Sequence, residues 1–372
     1  MEDIKLWIWY VLAMGNHKAL ARKLYHKVGS VKKIYEYTRS DYIEAGLDNE
    51  KKIAELNNKS LDEVQKTIWF AEKYGVEFIP IDSENYPPLL KNIYDPPLLL
   101  YKRGMHFSPA NELYIALIGT SNISDYGRDM AYALSKDLVD AGITIVGGMS
   151  PGIETVAHKS CVDAGGFTVA ALTTGVNSSP GKNSELMRKI MNSGAVISEY
   201  GFDEPSYPSR YAERNRIISG LCVGTVVVEA GEKSRSLMTA NYALDQGRDV
   251  FAVPGNVGKA SSGGVNELIK ETAKIVTNVT DILEEYTAIY PHLIRTQGFS
   301  SHDVEFEIPK ACQESDNVQS AIISCLKEGP KRLDAIIAQT KIPIGKLNGV
   351  ITLLEISGQV SQDKFGNYKL IK

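Results

Sequence analysis

Glu154 and His158, in the stretch TIVGGMSPGIETVAH (residues 144–158), stand four apart, the spacing that brings two side chains together on one face of a helix. A carboxylate there can orient an imidazole for proton transfer. The chemistry stops at that point, because no serine or cysteine is placed to act as a nucleophile beside them. The pair reads as a tucked histidine shaping the loop before it, and no catalytic residue is assigned. The loop has a chemistry of its own. Apolar and β-branched residues run into Gly147-Gly148, and Ser150-Pro151-Gly152 leads into a helical pattern, as in a strand-to-helix turn that holds a phosphate.

Three more loops follow the same plan: IGTSNISDYG after a first strand, AGEKSRS after TVVVE and PGNVGKASSGG after DVFAV. Glycine permits positive φ and close backbone approach. The helix starts that follow present free N–H groups and a partial positive charge. Several such loops on one edge predict a groove for an extended anion rather than a pocket for one cofactor. Neither GxGxxG nor GxxxxGK[ST] occurs, so a dinucleotide and P-loop ATP hydrolysis are disfavoured, and no cofactor is expected. In SRYAERNRIISGLC (209–222), Arg210, Arg214 and Arg216 cluster, and guanidinium groups suit bidentate phosphate contact. Glu199 and Glu229 end buried strands and are the competing partners for Arg214 or Arg216. Arg210, read as a loop residue, is the better ligand. Lys182 and Arg188 bring further positive charge to this edge, as do Lys159, Lys233, Arg235 and Lys259.

The elements that must position these loops are regular. Strands at 113–118, 143–146, 167–172, 194–199, 224–230 and 249–254 alternate with helices, and 273–276 adds an edge strand. Continuous apolar strands separated by helices predict a parallel sheet covered on both faces. The fold class is α/β: an extended Rossmann-like, doubly wound parallel sheet, with a small N-terminal helical domain and a C-terminal winged helix. The boundaries are 1–74 for a helical domain of the SAM or helix-hairpin-helix type, 75–285 for the Rossmann-like domain, 286–316 for a linker and 317–372 for the winged helix, read as three helices and a hairpin. The chain has 372 residues and a net charge of −4, so any nucleic-acid contact must come from a local basic patch. Cys161, Cys222, Cys312 and Cys325 form no CxxC pair. They read as reduced, mostly buried thiols of a cytoplasmic protein, with no metal site. The apolar run Leu6–Ala13 follows an acidic start and precedes no cleavage site, so it reads as a core helix. No run approaches a membrane span.

Residues 113–285 resemble the DNA processing protein A family (DprA, also called Smf). The resemblance rests on the Gly119 loop with SDYG (124–127), on GI (152–153) with His158, and on ISEYG (197–201). RNRIISGL (214–221), VVVEA (226–230), SLMTA (236–240), GRDVFAVPGN (247–256) and GGVNELI (263–269) follow in the family's order. The helical start and the winged helix extend the match to longer members. The resemblance implies a protein that is not an enzyme. It implies one that binds single-stranded DNA on the Rossmann-like domain, protects incoming strands in natural transformation, helps load the RecA recombinase and forms homodimers. The family has Gly-Ser-Arg where this chain has Gly119-Thr120-Ser121, and Ala-Arg-Gly-Ile-Asp where it has Ser150-Pro151-Gly152-Ile153-Glu154. Two loop arginines are therefore absent, which predicts weaker binding and a flatter salt dependence. Lys182, Arg128 and Arg210 are the available replacements, and Tyr126, Tyr207 and Tyr211 are candidates for stacking on bases. The expected phosphate-binding set is Gly119, Thr120, Ser121, Arg128, Gly148, Gly152, Lys182, Arg210, Arg214 and Ser236. Two other readings stay open: a sensor of nucleotide-derived small molecules, and a nucleoside-monophosphate phosphoribohydrolase-like enzyme, which needs Glu229 exposed near Arg214.

Overall fold

The computed structural model describes residues 2–106, 112–178, 183–295, 321–327, 329–356, 359–363 and 366–370. These fall into two compact units, residues 1–299 and 300–372.

The first unit opens with six helices, from α1 (Glu2–Met14) and α2 (Lys18–Val28) through α3 (Val31–Glu36), α4 (Arg39–Glu44) and α5 (Glu50–Asn57) to α6 (Asp62–Tyr74). The apolar run near the start is a core helix: Trp7, Ile8 and Tyr10 are fully buried. Gly29 takes φ 75° and ends α2, and the Ser30 hydroxyl accepts from the Lys33 amide to start α3. The strands β1 (Val76–Pro80) and β2 (Leu99–Gly104) form an antiparallel pair, with Val76 opposite Arg103, and the short helix α7 (Pro88–Lys91) lies between them.

The strands β3 (Tyr114–Gly119), β4 (Thr144–Gly147), β5 (Thr168–Ala171), β6 (Ala195–Ser198), β7 (Gly224–Glu229), β8 (Asp249–Ala252) and β9 (Lys274–Ile275) carry the alternation. Between them run α8 (Asp125–Asp140), α9 (Ile153–Asp163), α10 (Ser184–Ser193), α11 (Pro208–Leu221), α12 (Leu237–Asp245) and α13 (Gly263–Glu271), and α14 (Thr280–Thr287) follows β9. The sheet order is β1-β2-β6-β5-β4-β3-β7-β8-β9, with β2 antiparallel to β6 and all later pairs parallel. Alternation along β3 separates two apolar layers. Ile115 and Leu117 pack with Leu134 and Leu138 of α8. Ala116 and Ile118 face the layer that holds Ile217 and Ile218 of α11 and continues to Trp7 of α1. The chain winds from β3 through β4 and β5 to β6, then returns to β7 on the other side of β3. Strand order reverses there, and the crevice beyond the carboxyl ends of the strands is where such sheets bind ligands.

In the second unit a helix over 321–327 is followed by β10 (Lys331–Arg332), the helices Leu333–Thr340 and Ile344–Ile356, and the strands β11 (Val360–Gln362) and β12 (Asn367–Leu370). Ile322, Leu326, Ile336, Leu347 and Ile351 form its core. The sheet order β10-β12-β11 adds a strand to the expected hairpin. The added strand is residues 331–332, which pair with Tyr368 and Asn367. Arg332 stays extended as the helix cap.

Candidate nucleic-acid interface

The four glycine loops meet on one rim. Residues of the loops after β3, β4, β7 and β8 line a single open groove of about 1220 Å³ at the point where strand order reverses. The first loop is built on Glu229, the last residue of β7. The register between β3 and β7 slips after Ile118, so that Gly119 lies opposite Glu229. The Thr120 amide donates to the Glu229 carbonyl at 2.7 Å, and the Ser124 amide donates to the Glu229 carboxylate at 2.9 Å. A Cβ on Gly127 would lie 2.2 Å from that carboxylate, and one on Gly119 would lie 2.5 Å from Ile153. Glu229 is buried and is committed to the loop. Glu229 is therefore not the exposed acid or base that the phosphoribohydrolase reading requires of it.

The second loop holds its own carboxylate. Oε2 of Glu154 accepts from the amides of Gly148 at 2.9 Å and Ser150 at 3.0 Å. Two N–H groups that the loop pattern offers to an anion are thus already taken. Gly152 takes φ 84° and sits so close to the first loop that a Cβ would be 2.2 Å from the Thr120 carbonyl. His158 is fully buried. Thr168 donates its hydroxyl to the Ile145 carbonyl at 2.8 Å, so its oxygen accepts from Nδ1 of His158 at 2.8 Å. That leaves Nε2 bare against Gly147. Burial lowers the imidazole to a pKa of about 4, with Glu154 opposing that shift and Arg214 adding to it. The ring is therefore a neutral packing group that no solvent or substrate reaches.

Arg214 forms the floor of the groove. It comes from the second turn of α11, is 1% exposed, and donates from Nη1 to the Ala171 carbonyl at 2.8 Å and from Nη2 to the Ser150 hydroxyl at 3.3 Å. Its Nε has no hydrogen-bond partner among the described residues. Gly148 makes the space, since a Cβ there would stand 1.2 Å from Nη1. Tyr211, half-exposed one turn earlier, lies over the same guanidinium at 6.0 Å, with Arg235 at 5.8 Å on its ring. Lys233, Arg235 and Lys259 line the rim, and Glu154 and Glu232 are the carboxylates among them.

The structure separates the expected site residues. Gly119, Thr120, Ser121, Arg214 and Ser236 line the groove, while Gly148 and Gly152 shape it from beneath. Arg128 is exposed on α8 and pairs with Asp125 at 2.6 Å, away from the groove lining. Arg210 is not a loop residue. It lies in the first turn of α11, 6% exposed, ion-paired with Glu204 and donating to the Pro205 carbonyl at 2.8 Å. It faces a second cavity of about 670 Å³. Lys182 lies outside the described residues. Tyr126 lends its hydroxyl to the Pro254 carbonyl at 2.9 Å, and Tyr207 sits in the second cavity against Arg210. Thr239, from SLMTA, also lines the groove. As a β-branched residue near a helix start, it gives no signal of this in the sequence. Cys161, Cys222 and Cys325 are free and buried, and Cys312 lies outside the described residues. Among the described residues no cluster could hold a metal ion, and no helix is long and apolar enough to cross a membrane.

The family model for DNA recombination-mediator protein A matches residues 77–287, and that for the DprA winged helix domain matches residues 308–364. Protein Smf of Escherichia coli (strain K12) is 37% identical over 223 residues, and the match spans 59% of each chain. The X-ray structure of DNA processing protein A from Streptococcus pneumoniae superposes with a TM-score of 0.67 at 31% identity, covering 76% of this chain and 97% of that one. DNA processing protein A from Helicobacter pylori, solved for its single-stranded DNA binding mode, has a TM-score of 0.52 at 24% identity, over 57% of this chain and 95% of its own. That second likeness is one of fold.

Proposed function

The chain belongs to the DNA recombination-mediator protein A family, and from that premise we propose that it binds single-stranded DNA along the strand-end groove. In this reading it protects strands and hands them to the RecA recombinase, acting as a homodimer in the cytoplasm. It works by binding rather than by catalysis.

The observation that carries the reading is the convergence of four strand-end loops on one groove, with a buried guanidinium at its floor and three exposed cations on its rim. A row of loops suits a chain of phosphates, because it places polar and cationic groups at separate points along the strand; with the Gly148 and Ser150 amides held by Glu154, the cationic side chains carry most of that contact. Arg214, Lys233, Arg235 and Lys259 supply the charge that the two absent loop arginines would have supplied. The half-exposed Tyr211 offers one face to an unpaired base. Against catalysis stand the two groups best typed for it. His158 is sealed and uncharged, and Glu229 is engaged in holding a turn. The groove exceeds the volume usual for a small-molecule pocket, about 300–1,000 Å³, which favours a strand over a single nucleotide.

The test is a fluorescence titration of a labelled oligo-dT of about 6 nucleotides against the full chain over a range of salt. Contact with about four phosphates predicts a logarithmic salt slope near −3, with duplex and mononucleotide as poor competitors. Absence of binding at low salt would refute the reading. Full competition by a mononucleotide would replace it with the sensor.

A further inference from the structure

From Ile4 to Tyr35 the chain has no Asp or Glu and seven Lys or Arg, in a protein of net charge −4. The fold divides these cations by side. On α2, Lys18 and Arg22 turn inward: Lys18 reaches Glu199 at 2.9 Å and Glu213 at 3.1 Å, and Arg22 reaches Asp95 at 3.8 Å. Lys23 and Lys27 project from the other side of the same helix, four apart, with His26 between them. The Gly29 turn then leads directly to Lys32 and Lys33 in the first turn of α3. All five side chains are exposed. Lys27 donates to the backbone carbonyl of Glu44 at 3.2 Å. Among the described residues none of Lys23, Lys27, Lys32 and Lys33 forms an ion pair. No large apolar side chain in α2 or α3 is exposed.

We propose that this lysine face is a second contact for the DNA strand, taking its sugar–phosphate backbone where it leaves the groove. The inference rests on the single-strand reading above. Four ammonium groups without carboxylate partners complement a polyanion, and point charges neutralise phosphates without regard to sequence. A membrane surface would call for apolar side chains to insert, and a protein partner for aromatic or arginine anchors; this face has neither. The helix that carries two of these lysines borders, with its inner side, the cavity beside the groove. The inner turn of α2 lines the 670 Å³ cavity together with Tyr207 and Arg210. Those residues begin α11, the helix that sends Tyr211 and Arg214 into the groove. A strand that leaves the groove past the start of α11 would have to round α2 to reach the lysines on its outer side.

The experiment compares the full wild-type chain with a Lys23→Gln, Lys27→Gln, Lys32→Gln, Lys33→Gln variant, using oligo-dT of about 6 and about 40 nucleotides. All four positions are exposed, and equal melting temperatures verify the fold. The expected result is a loss of about tenfold or more on the long strand, a salt slope shallower by about 3, and unchanged binding of the short one. Unchanged binding of the long strand overturns the inference while leaving the groove reading intact. An equal loss on both lengths also overturns it, because the lysines would then act on the groove itself. If the wild type binds neither length at low salt, the single-strand reading fails and the lysine face fails with it. Two further results overturn it: a wild-type preference for duplex that the variant lacks, or loss of phosphatidylglycerol-vesicle binding with DNA binding unchanged.

Discussion

A chain carrying Arg216→Met is expected to lose about 3–5 kcal/mol of stability, the usual cost of removing one partner from a buried ion pair. Arg216 donates from Nη2 to Glu199 at 2.7 Å and from Nε to Asp95 at 2.9 Å, and its side chain is 5% exposed. Burial alone would push the Glu199 carboxyl up, yet Arg216 and Lys18 beside it hold it below its ordinary value. Among the described residues, without the guanidinium Glu199 retains only Lys18, and Asp95 only the more distant Arg22. The network ties α2 and the segment before β2 to the end of β6 and to α11, so its loss loosens the attachment of the N-terminal helices. The midpoint of urea unfolding measures the effect. A second variant, Arg216→Met with Glu199→Gln, should recover part of the loss because it also removes the stranded charge. A loss below about 1 kcal/mol, the level of an exposed pair, would show that the network contributes little.

The second large effect is expected from Gly148→Ala. A Cβ at this position would stand 1.2 Å from Nη1 and 1.9 Å from Cζ of Arg214, so the guanidinium must leave the floor of the groove. Overpacking of this kind costs about 1–3 kcal/mol. The loss of function should exceed what that figure suggests, because the displaced side chain fills the space a phosphate would occupy and no longer holds Ser150. Single-strand affinity should fall at least tenfold while the fold persists. Arg214→Lys is the companion variant. It keeps the charge but loses the planar fork, and it should weaken binding without the steric cost. Wild-type affinity in Gly148→Ala would mean that Arg214 does not contribute to the site.

The sheet was legible because its strands are continuous apolar runs with glycines at their ends. Each expected strand from 113 onward lies within a residue or two of its place, down to the edge pair at Lys274–Ile275. The gathering of the loops on one rim followed from the alternation, since parallel strands end on the same side. The arginines were harder. Arg214 and Arg216 are two apart on a helix and so point about 200° away from each other. One clamp cannot hold both, and only the packing shows that Arg216 meets Glu199 while Arg214 enters the groove. Arg210 reads as a loop residue in the sequence, yet Pro208 two positions before it begins α11, since proline fits the first turn of a helix. The capture of two loop amides by Glu154 leaves no trace in the spacing, since an acid in the first turn of the helix after a glycine loop reads equally well as solvated. Lys18, which reaches Glu199 across 181 positions of sequence, could not be paired without the fold.

The central claim is that one strand lies across the loops after β3, β4, β7 and β8. Hydrogen–deuterium exchange of the full chain, with and without an oligo-dT of about 6 nucleotides, tests it most directly. Slower exchange is predicted in all four segments, around Thr120–Asn122, Ser150–Gly152, Gly231–Ser236 and Gly258–Gly263, with the winged helix unchanged. Protection confined to the winged helix or to the N-terminal helices, with those four segments exchanging as before, would contradict it.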